Sequence, residues 1–121
     1  MPQVSQPAQR FTKRERAQLK ELAGAAWEAE LEAELEKLFE DFLKWADNAM
    51  DAFDLSERIH DFHNGVSREL YGRYTALHPE ITVPRAVALG ILGEGELGEA
   101  LLQKLSAQIE AYRKRLEDEG G

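Results

Sequence analysis

Residues 12–50 contain no proline and a single glycine, Gly24, and consist mostly of Ala, Glu, Leu and Lys. These are strong helix formers, and without proline nothing obliges the backbone to break. Thr12 followed by Glu15 is a capping-box pattern that marks the start of a helix. Leu31, Leu35, Leu38, Phe42, Trp45 and Ala49 recur at alternating steps of four and three, the spacing of a heptad seam. Phe39, Leu43, Ala46, Met50 and Phe53 form a second seam beside it. Two adjacent seams make an apolar face wider than one neighbouring helix covers.

A helix over 12–50 is about 58 Å long, whereas a compact domain of this size has a radius of gyration of about 14 Å. Such a helix projects beyond its own domain. Its bare seam predicts a symmetric homodimer with Leu31, Leu35, Leu38, Phe39, Phe42 and Trp45 at the interface. The competing arrangement is a break near Asp47 and Asn48 that folds the helix back into a monomeric bundle.

Asp54 and Glu57 form another capping-box pattern, so a second helix is expected from near Leu55 to the His78-Pro79 pair. Leu55, Ile59, Phe62, Val66, Leu70 and Tyr74 share one face of it, and Gly65 and Gly72 are candidate close helix crossings. Thr82 reads as an N-cap with Pro84 in the first turn of a short apolar helix that ends at Gly93 or Gly95. A last helix over about 96–117 carries Leu97, Leu101, Leu105, Ile109, Tyr112 and Leu116 on its inner face. The expected fold is all-α: one long N-terminal helix followed by three shorter ones, assembled as a dimeric helical bundle. Residues 1–11 read as a disordered leader and 12–119 as one helical domain.

Composition narrows the function. The 121 residues carry 15 Lys and Arg against 23 Asp and Glu, a net charge of -8. That balance argues against general nucleic-acid binding, which needs a positive surface. No apolar run is long enough for a membrane span. The absence of cysteine removes thiol catalysis, zinc ribbons and iron–sulfur clusters. No serine sits in a nucleophile-elbow context, and Gly90, Gly93, Gly95 and Gly98 match a turn rather than a phosphate loop. With no secretory h-region, a cytoplasmic protein is expected, and with none of these catalytic motifs present a non-enzymatic protein without a cofactor is expected. Charge is also uneven. Arg10, Lys13, Arg14, Arg16 and Lys20 face only Glu15 near the N-terminus, whereas residues 28–41 hold seven acids against Lys37. The basic end would suit an acidic partner surface, or the acidic stretch of a second copy.

The densest polar cluster is Glu57, Arg58, His60, Asp61, His63 and Asn64. Glu57, His60 and His63 fall three apart on one helix face, half of a carboxylate di-iron pattern, so a metal-binding bundle is the alternative reading. A purely structural dimer module is the other.

Residues 60–74, HDFHNGVSRELYGRY, resemble the central stretch of the fluorescence recovery protein family of cyanobacteria. The matching residues are His60, Asp61 and Phe62, then Arg68, Glu69, Leu70, Gly72, Arg73 and Tyr74. The resemblance implies an all-helical dimer that is not an enzyme. It implies binding to the C-terminal domain of photoactivated orange carotenoid protein, which such proteins return to its resting form. It places a partner-binding surface on His60, Asp61, Ser67, Arg68, Glu69 and Arg73. Two positions depart from the family: Glu57 stands where the family has a Trp, and Ser67 where it has a functional Arg. A carboxylate in place of an aromatic anchor removes a typical hot spot, and a hydroxyl cannot do the work of a guanidinium. The resemblance therefore supports the fold and the dimer more than the client.

Overall fold

The computed structural model describes residues 10–120, and these form helices and turns with no strand. Helix α1 spans Lys13–Ala46. Thr12 caps it as expected: its hydroxyl accepts from the Glu15 backbone N–H at 3.0 Å, and the Glu15 carboxylate accepts from the Thr12 N–H at 2.9 Å. Lys104 reaches the same carboxylate at 2.6 Å, which ties the last helix to the start of the first. That bond, then the Thr12 N–H, holds the Glu15 carboxyl below its ordinary range. The expected leader, 1–11, lies outside the described residues up to residue 9. Phe11 is 3% exposed and is part of the core.

The long helix stops at Ala46 rather than at residue 50. Asn48 takes a left-handed backbone (φ 62°), a conformation asparagine tolerates better than most residues. The chain reverses there, where the competing sequence reading put a break. Asp51, not Asp54, caps the next helix, its carboxylate accepting from the Asp54 N–H at 2.7 Å. Helix α2 spans Ala52–Phe62 and runs back along α1. It continues through a π-helical turn, His63–Ser67, into α3, Arg68–Ala76.

The π turn follows from the sequence. Phe62, Val66, Leu70 and Tyr74 repeat every four residues. In an α-helix each such step drifts about 40° off the face. A widened turn absorbs one extra residue and keeps the row pointed at α1. Leu55 and Leu70 are buried along this row, with Phe62 and Val66 half-buried. Ile59, expected on the same face, is 40% exposed.

Helix α4 is Pro79–Ala88, with His78 as its N-cap residue and Pro79 in the first helical position. This corrects the expected start at Thr82. Proline suits the first position because its missing N–H has no helical partner there. Thr82 is instead a core residue, 1% exposed, and Pro84 lies inside the helix. Gly90 (φ +80°) closes α4 well before Gly93: the Ile91 N–H returns to the Ala86 carbonyl at 2.8 Å, a Schellman-type end. A short 3-10 turn, Glu94–Glu96, leads to α5, Glu99–Gly120, which starts three residues later than expected.

The core gathers the N-terminal half of α1 with α4 and α5. Leu19, Ala26, Val83, Ala86, Leu97, Leu101, Leu105 and Ile109 are each 2% exposed or less. The inner face expected for the last helix is thus buried from Leu97 to Ile109, while Leu116 at its far end is 37% exposed. No described helix is long and apolar enough to cross a membrane.

Gly65 and Gly72 do not mark close crossings. A Cβ at either would meet no atom within 4 Å, and neither has a positive φ. Gly72→Ala is therefore expected to raise stability by roughly 0.5–1 kcal/mol through helix propensity. Thermal unfolding at fixed protein concentration measures this. A loss of stability would show that something packs against that face.

Candidate functional site

Beyond the core, the C-terminal half of α1 and the returning α2 form a hairpin whose outer side carries large apolar groups. Leu35 is 45% exposed, Phe39 61%, Leu43 52%, Trp45 45% and Phe53 87%. Of the six residues expected at a dimer interface, Leu31 and Leu38 are half-buried within the chain, and Leu35, Phe39, Phe42 and Trp45 are exposed. A single returning helix covers only part of a double seam, as its width required. Exposed apolar groups clustered this way are characteristic of interaction surfaces. Arg58 on α2 and Asp41 on α1 lie 3.7 Å apart across the hairpin, an ion pair of small energetic weight because Arg58 is exposed.

The polar residues singled out from the sequence lie further along the same returning helix. His60, Asp61 and Arg68 are exposed, and Ser67 is half-buried in the π turn. The Asn64 side-chain amide lies 3.1 Å from His60 Nε2. One extra residue in the π turn shifts everything after it by one register. Residues eight apart, His60 and Arg68, therefore approach a common face, as residues seven apart do in a plain α-helix. Glu69 and Arg73 pair at 3.2 Å.

Arg73 belongs to a second arrangement that the sequence concealed. Glu30 on α1 accepts from the Tyr74 hydroxyl at 2.5 Å, and the Arg73 and Arg85 guanidinium groups donate to it at 3.5 and 3.4 Å. All three charged side chains are a quarter exposed or less. The clasp joins α1, α3 and α4. Above it the Trp27 ring stacks on Tyr74 at 5.8 Å and meets the edge-on Tyr71 ring at 6.0 Å. Burial first, then the hydrogen bond to Glu30, pushes the Tyr74 phenol well above its ordinary pKa. A signal for Glu30 existed. It continues the row Leu19, Leu22, Ala23 and Ala26, so an acid stands on the core face of the helix. Seven acids crowded into residues 28–41 made it read as part of a solvated face.

Among the described residues no three His, Asp or Glu side chains converge in a metal-holding group. The alternative set Glu57, His60 and His63 is exposed and does not form one within a single chain.

No protein-family model, curated protein or solved structure matches the chain.

Proposed function

We propose that the chain is a non-enzymatic helical regulator of the cytoplasm that works as a homodimer and binds a partner protein. The observation that carries this reading is the bare apolar side of the hairpin, most of it on α1, beside a returning helix that exposes His60, Asp61 and Arg68. The first surface needs a cover, and a second copy of the same hairpin supplies one of matching chemistry. The second surface, exposed and charged, remains for a client. The resemblance of residues 60–74 to the fluorescence recovery protein family supports the same division and makes a carotenoid-protein C-terminal-like domain the first client to test, with a different client as the alternative. Ser67 stands at the family's arginine position, and Arg68 beside it offers the guanidinium. Regulation of this kind needs no bond chemistry: a binder that prefers one conformer of its client shifts the client's equilibrium toward it.

Asp61→Asn and Arg68→Ala test the client surface. Each removes a charge from an exposed position, so helix content and oligomeric state should stay unchanged. Recovery of photoactivated orange carotenoid protein to its resting form, followed by absorbance, should slow at least about tenfold in each variant, an effect of about 1.4 kcal/mol on client binding. Wild-type protein that leaves recovery untouched would remove this client. Variants as active as wild type would move the client surface elsewhere.

A further inference from the structure

At the opposite end of α1 from the exposed hairpin, the first helix and the α3–α4 junction enclose an open cavity of about 560 Å³. Single-ligand sites commonly measure about 300–1,000 Å³. Gly24 and Trp27 line one wall, and Tyr74, Leu77 and Pro79 line the other. Lys20 and His78, both exposed, also line it, as does Arg16, whose guanidinium donates to the Phe11 carbonyl at 2.7 Å. No Asp or Glu is among the lining residues, although acids outnumber bases 23 to 15 in the chain. The first turn of α4, at His78 and Pro79, adds the positive end of a helix dipole. Gly24 keeps the wall open. A Cβ there would meet nothing within 4 Å, yet glycine inside a helix costs about 1 kcal/mol relative to alanine.

We propose that this cavity binds an apolar anion of single-ligand size, an aromatic carboxylate, with its ring against the Trp27 side of the wall and its carboxylate toward Lys20. Apolar walls supply the affinity, and the acid-free, basic lining selects the charge. The proposal is independent of the hairpin surface and of the client reading.

The chain has two tryptophans, and they make the test specific. Trp27 lines the cavity, and Trp45 lies on the exposed hairpin, about 27 Å further along α1. Full-length protein labelled with nitrogen-15 is titrated with 4-phenylbutyrate, and the two indole N–H signals are followed, assigned through Trp45→Phe. The Trp27 signal should move saturably and the Trp45 signal should stay still. The neutral amide of the same probe should bind at least about tenfold more weakly. Gly24→Leu, whose Cβ enters open space and whose longer side chain occupies the cavity, should abolish the shift and leave the helical circular dichroism unchanged. Lys20→Glu should weaken the carboxylate and not the amide. A Trp27 signal that never moves up to the solubility limit of the probe overturns the proposal. So does equal binding of the amide, or undiminished binding by folded Gly24→Leu.

Discussion

Leu35→Lys together with Phe39→Lys is expected to separate the proposed dimer into folded monomers. The two side chains lie on adjacent seams of α1, one turn apart, and are exposed within the chain, 45% and 61%, so the fold does not depend on them. Twofold symmetry repeats each change in both protomers, which makes four altered contacts. At about 1 kcal/mol of lost apolar burial for each, the loss is about 4 kcal/mol, or about a thousandfold in the dissociation constant. Sedimentation equilibrium reads this directly, and circular dichroism should show unchanged helix content. A variant that dimerises as tightly as wild type would put the interface on another face.

Glu30→Ala should cause the largest loss of stability among polar substitutions. It strips the shared acceptor from Arg73, Tyr74 and Arg85, which leaves two guanidinium groups facing each other and Arg73 with only the exposed Glu69 carboxylate. A mostly buried charge left without its partner costs several kcal/mol when fully buried. Here, with side chains about a fifth exposed, about 2 kcal/mol is expected, a fall of about 8 °C in melting temperature. Glu30→Gln keeps an acceptor for Tyr74 and should lose roughly half as much. A change under about 2 °C for the alanine variant would show that the clasp contributes nothing.

The Tyr74 phenol adds a pH signature. Its folded pKa is raised above the ordinary 10.0, so its contribution is intact below pH 10.0 and is lost as pH rises beyond that value. Tyr74→Phe should be less stable than wild type at neutral pH and should lose less stability than wild type on going to strongly alkaline pH.

What was legible in the sequence was periodic or capped. Thr12 and Glu15 mark the first helix start to the residue, and the Leu101–Leu105–Ile109 row, with Leu97 just before it, marks the buried face of the last helix. What was missed depended on choices between equally competent signals or on distant partners. Asp51 and Asp54 are both good caps, and the structure uses the first. Thr82 is a cap former by its hydroxyl and a core residue by its branched shape. Pro79, placed one residue after His78, settled the helix start and left Thr82 to the core. The π turn was encoded in a run of four-residue steps, but it becomes a constraint only when α1 lies alongside. Glu30 gained meaning only beside Arg73 and Arg85, 43 and 55 residues away. The apolar surface expected at a dimer interface is exposed at Leu35, Phe39, Phe42 and Trp45, because these seam residues all fall on α1 and their spacing is local to it.

Native mass spectrometry of the untagged chain, purified without chelator at micromolar concentration, tests the central claim most directly. The account predicts a species at twice the chain mass of 13.7 kDa with no added metal mass. A monomer at that concentration would contradict it, because the exposed hairpin would then have no second copy covering it.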